Sequence, residues 1–202
     1  VKEAFSSKSY NLLTIGFFVC GFHVTFVATH LPAFLEDQSL PSWLGGWSLA
    51  LVGLFNIIGT LLFGRLGDRL SKKNLLAVLY SLRSILFLLF IILPKNELSV
   101  LLFASFLGIL WLSTVPLTSG IISDVFGSYY MSTLYGITFL SHQIGSFLGS
   151  WLGGRIFDFY GSYDAMWWIC VVLGFISAMF HIAIKEKPVE RLSKKELIYQ
   201  NE

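Results

Sequence analysis

Between Gln38 and Gly64 the chain carries no charged residue, and between Asn74 and Pro94 it carries one, Arg83. Runs of that length fit the bilayer, which a helix of about 20 apolar residues crosses. The segment between them, Gly64-Arg65-Leu66-Gly67-Asp68-Arg69-Leu70-Ser71-Lys72-Lys73, holds five charges. A short basic connector between two such runs reads as a tight loop at a membrane surface. Only 13% of the 202 residues are charged and 55% are hydrophobic; a soluble domain carries about 25% charge. The expected fold class is an all-α polytopic membrane protein. The apolar runs lack the period-two alternation of a transmembrane barrel, and helices satisfy their own backbone in lipid.

Six spans are expected, at about 10–35, 43–66, 74–93, 98–123, 129–157 and 164–184. Residues 1–9 form a polar lead-in and 185–202 a charged tail. The first span closes at Pro32 and the Glu36-Asp37 pair, and the fourth carries Pro116 in its interior, where a kink is expected. Beginning at Val1, the chain shows no cleavable signal pattern, and the missing initiator Met suggests processing or a fragment of a longer chain. Cys20 and Cys170 lie far apart inside apolar runs and read as buried free thiols.

Six spans put both termini on one side. That side collects Lys2, Lys8, Arg65, Arg69, Lys72, Lys73, Lys185, Lys187, Arg191, Lys194 and Lys195, against Lys95 and Arg155 on the other. The positive-inside rule makes the first side cytoplasmic, in the cell inner (plasma) membrane. Trp43, Trp47, Trp151, Trp167 and Trp168 fall near the outer boundary, as an interfacial aromatic belt would.

The second and fifth spans match at a fixed offset. Gly59, Gly64, Arg65 and Asp68 correspond to Gly149, Gly154, Arg155 and Asp158, and Thr60 to Ser150. The two spans run in opposite directions, so the chain reads as two inverted three-helix repeats.

The Gly-x-x-x-Asp-Arg-x-x-Lys-Lys pattern from Gly64 to Lys73 closely resembles a signature loop of the major facilitator superfamily of secondary transporters. The resemblance covers almost the whole chain, which is similar to the C-terminal six-helix half, and inverted three-plus-three repeats build each such half. Gly21-Phe22-His23, Thr29-His30-Leu31-Pro32, His142-Gln143-Ile144-Gly145 and Gly161-Ser162-Tyr163-Asp164 resemble bacterial relatives of the monocarboxylate and oxalate–formate porters. Those porters often place an Arg one turn after an Asp in the second of these spans; the matching positions here are Thr60 and Asn56, both uncharged. The resemblance implies a gating loop of Gly64, Asp68, Arg69, Lys72 and Lys73. Asp68 would face a helix N-terminus of the opposite half. A solvated topogenic loop is the plainer reading.

Arg83 lies about 15 Å along its helix from the loop, at about 1.5 Å per residue, near mid-bilayer. Such a charge is costly and is a functional candidate. It reads either as a bidentate site for a carboxylate or as a structural group paired with carbonyls or Asn56. His23 and His30, seven residues apart on one face, are candidate proton-coupling groups or packing histidines. His142 and Gln143 are candidates to line a cavity with Asn56 and Trp111. The Gly145, Gly149 and Gly153 stripe reads as close helix packing.

The expected function is secondary active transport of a small organic solute, an organic anion such as a monocarboxylate among the candidates, by alternating access with proton coupling or exchange. A non-transporting scaffold, a channel subunit and efflux of hydrophobic compounds are the alternatives. No phosphate-binding loop and no metalloprotease motif occurs, so neither an enzyme nor a cofactor is expected. The expected partners are the bilayer, the solute, and an N-terminal six-helix half or a second copy, with no nucleic acid.

Overall fold

The computed structural model describes residues 2–188; Arg191, Lys194 and Lys195 of the expected tail lie outside them. Among the described residues the fold is all helix: α1 (Lys2–Ser6), α2 (Lys8–Asp37), α3 (Trp43–Gly67), α4 (Lys72–Ile92), α5 (Glu97–Leu110), α6 (Thr114–Phe126), α7 (Met131–Tyr160) and α8 (Asp164–Ile182). Five segments are long and apolar enough to cross a membrane: α2, α3, α4, α8, and α5 with α6 taken together. α7 matches α2 in length at 30 residues, but its Ser, Thr, His and Gln side chains make it more polar.

Local chemistry sets the starts. The Ser71 side chain accepts from the Asn74 N–H and opens α4. Asn96 and Ser99 form a reciprocal capping box at the start of α5, each side chain accepting from the other's N–H at 2.9 Å, which satisfies two orphan donors. Gly161, at φ 64°, closes α7 in the left-handed conformation that glycine adopts without a Cβ clash. Pro32 lies inside α2 rather than ending it.

Packing shows the repeat. α2 lies along α7, and α3 along α5, as the two partners across the inverted units. The glycines matched in sequence do the same task at both places. A Cβ on Gly59 would lie 2.0 Å from the Ile109 carbonyl oxygen of α5, and one on Gly149 would lie 2.3 Å from that of Phe22 in α2. Gly145 meets the Phe18 carbonyl in the same way, at 2.1 Å. The stripe is therefore close packing, in which small residues let backbones meet. α4 and α8 pair behind them, and α3 and α7 each pack on both α2 and α6.

Two expectations are corrected. The fourth span is two helices, and the break at 111–113 comes before Pro116. The proline sits in the first turn of α6, where its missing N–H costs nothing. Trp167 is not part of a belt. It is 1% exposed and packs against Phe26, Phe34, Phe87, Phe90 and Phe103. Trp43, Trp47, Trp151 and Trp168 stay about half-exposed. A Trp at a helix start is interfacial only on its outward face.

The glycine contacts give a direct test. Gly149→Ala is expected to destabilise the fold by about 1–3 kcal/mol, because the methyl meets backbone that cannot move aside. Gly46→Ala, where nothing lies within 4 Å, is expected to be neutral or slightly stabilising. Detergent-titrated unfolding of both proteins checks the contrast.

Candidate functional site

A break inside a membrane leaves backbone groups that lipid cannot satisfy. Here two side chains meet them. The Arg83 guanidinium, on α4 and 1% exposed, donates through Nη2 to the carbonyls of Leu110 and Trp111, the latter at 2.7 Å. Its Nη1 donates to Cys20 Sγ at 3.6 Å. From the other side, Asn56 Oδ1 on α3 accepts the Leu112 N–H at 3.0 Å and the Thr60 hydroxyl at 3.3 Å. Ser113 donates back to the Ile109 carbonyl at 2.6 Å. The broken turn is thus closed from α3, α4 and its own chain.

The same level carries the other candidates. Cys20 on α2 lies 3.2 Å from Thr114 Oγ1 and 3.9 Å from the Trp111 carbonyl. One residue on, Gly21 approaches the His142 carbonyl of α7 so closely that a Cβ would lie 1.9 Å from it. The His142 ring packs between Phe17 and Phe139, at centroid distances of 4.9 and 5.3 Å. His142 Nδ1 lies 3.1 Å from Gln143 Oε1, and Gln143 itself is exposed.

The sequence candidates therefore divide. Asn56, half-buried, bonds the break itself; His142 lies against Gly21 of α2, and Gln143 beside it is exposed. Arg83 reaches the break from behind, and the Trp111 side chain turns into the apolar core. His23 is buried against Phe87 at 5.0 Å, with neither ring nitrogen hydrogen-bonded. His30 lies apart, its Nε2 2.8 Å from the Ser150 carbonyl and therefore carrying the proton.

The basic loop lies at one end of the bundle. Lys72 pairs with Asp124 of α6 at 2.7 Å. Lys73 Nζ donates to the carbonyls of Ile182 and Ile184 at 3.1 and 2.7 Å, beyond the end of α8. Two lysines in the first turn of α4 oppose its dipole. Glu186 offsets them: its carboxylate accepts the Lys73 N–H at 2.7 Å and the Ser71 hydroxyl at 2.8 Å. Ser9 bonds Lys185 at the same end, joining the two chain ends to the loop. Arg65, Asp68 and Arg69 stay exposed, and none has a side-chain partner among the described residues. Beside Asp68 a cleft of about 510 Å³ is lined by Gly64, Lys72, Ser119, Gly120 and Asp124.

Sequence reading missed Asp124 and Glu186. Both looked like ordinary terminal charges, and no local pattern announces a partner 52 or 113 residues away. It also missed the thiol of Cys20 as a neighbour of Arg83.

The profile of the Major Facilitator Superfamily matches residues 13–198. The chain belongs to that superfamily of membrane transporters, and it is a multi-pass membrane protein. It is 30% identical over 182 residues to an uncharacterized MFS-type transporter, YcxA, of Bacillus subtilis (strain 168). The match covers 87% of this chain and 44% of that protein's length, so the chain spans less than half of the relative.

Replacing Arg83 with Met removes the donors of two buried carbonyls at the break. The expected loss is about 3 kcal/mol of stability, since a hydrogen bond to a charged group contributes about 1.5–3 kcal/mol. Arg83→Lys, which retains charge and donors, is expected to recover part of it. Unfolding curves of the three proteins measure both steps.

Proposed function

We propose that this chain forms one half of a secondary active transporter for a small organic solute, working by alternating access against an N-terminal six-helix half or a second copy. Superfamily membership supports it, as does coverage of less than half of the relative. The observation that carries the reading is how the loop's charges are used. Lys72 and Lys73 are bonded within this half, whereas Arg65, Asp68 and Arg69 are exposed, Asp68 at a cleft that Lys72 also lines. Charges left free at the end of a rigid bundle suit a contact that forms and breaks as two halves rock. Asp68 then meets a positive helix end of the other half.

The basic residues at this end support a cytoplasmic side for it, and the reading takes both termini as inside and the protein as lying in the inner (plasma) membrane. The driving force is a proton gradient or a counter-solute. Catalysis has no part in the reading. The partial likeness to monocarboxylate porters makes an organic anion one cargo to consider, but the inward turn of Arg83 supports a structural role for that residue.

Asp68→Asn is expected to cut solute uptake by about tenfold or more, the loss of roughly 1.4 kcal/mol at the closed gate. Membrane insertion and thermal stability are expected to stay near those of the parent. Uptake measured beside the amount of folded protein tests both; uptake equal to the parent's overturns the gating role.

A further inference from the structure

The level of the break holds two side-chain amides whose oxygens are already used. The Leu112 N–H can only donate, so the Asn56 atom facing it is Oδ1, and Thr60 donates to the same oxygen. Gln143 sets Oε1 against His142 Nδ1, the arrangement of an Nδ1–H donor. The two amide nitrogens, Asn56 Nδ2 and Gln143 Nε2, have no partner among the described residues and are not sealed from solvent. α3 and α7, which carry them, both pack on α2 and on α6. Each of these two helices therefore brings one free amide donor.

This level offers no lysine or arginine to match; the His142 ring beside Gln143 is the titratable group there. Arg83 is the only Lys, Arg, Asp or Glu away from the ends of the described spans. Its guanidinium is buried behind the break, with its bonds made to carbonyls and to Cys20. An anion brought to this level would lose its water without gaining a paired cation, a cost that a neutral oxygen escapes.

We propose that this half reads its solute through uncharged oxygen acceptors, hydroxyl, amide or ester, bound by Asn56 Nδ2 and Gln143 Nε2, and selects a neutral polar solute over its carboxylate counterpart. The inference rests on the transporter reading and names the substrate class for it.

The test compares pairs that differ in that group alone: lactamide with lactate, and gluconamide with gluconate. Each is added to the purified protein and binding is read from the rise in melting temperature with concentration. The uncharged member of a pair is expected to stabilise the protein at lower concentration than the carboxylate. Asn56→Asp keeps an acceptor for Leu112 but exchanges the amide donor for a carboxylate oxygen, whereas Gln143→Leu removes its donor at an exposed position and adds no charge; both are expected to fold, and Gln143→Leu separates loss of a donor from gain of a charge. Each is expected to weaken the uncharged probe about tenfold, the size of one lost hydrogen bond. Tighter binding of the carboxylate overturns the inference and leaves the transporter reading in place. Equal binding of the uncharged probe to parent and variants overturns the role of the two amides. Stabilisation by no member of either pair overturns the substrate class, and the Asp68→Asn uptake assay still decides the transporter reading separately.

Discussion

A helix that crosses a membrane can break only where something else satisfies its backbone. In this chain the break lies between α5 and α6, and it is closed by Arg83 from behind and Asn56 from the front. Much follows from that closure. The guanidinium is buried because two carbonyls need donors there. The Asn56 amide is oriented because a backbone N–H needs an acceptor. Cys20, Trp111 and Thr114 meet at the same place because α2 crosses α6 at that level. A charge that reads in one dimension as a substrate ligand serves in three as part of the helix joint.

A second constraint acts at the lipid-facing scale. Without water there is little hydrophobic force between helices, so they associate by fitting closely. Gly59 and Gly149 fulfil this at equivalent places of the two repeats, each against a carbonyl of the partner unit. The rigid pairs that result, α2 with α7 and α3 with α5, leave α4 and α8 as backing. Such a unit can move as a body, which the proposed alternating access requires. At its end the loop divides its charges between internal fastening and an outward face. Glu186 makes that division possible by neutralising the unfavourable lysine pair at the start of α4.

Much of the fold was legible in the chain. Apolar runs and the fixed offset of the repeat act within a helix or along its axis, so their effect needs no distant partner. The superfamily was legible in the loop between Gly64 and Lys73. The site was legible only in part. Asn56, His142 and Gln143 could be singled out as candidates because polar groups in apolar runs stand out. The partners Asp124 and Glu186 were not, since their meaning lies in residues far along the chain. Pro116 pointed to the right span but the wrong bond: the break is placed by Arg83 and Asn56, and the proline then fits a helix start.

The sequence by itself determined the solvent, the helical class and the repeat, because each depends on residues close together or at a fixed offset along the chain. Tertiary structure alone decided what the exceptional groups do. Whether Arg83 faces a solute or a carbonyl, and whether Trp167 faces lipid or five phenylalanines, depends on helix rotation. Rotation is fixed by the sum of glycine contacts and aromatic packing across helices, and no single helix carries that sum.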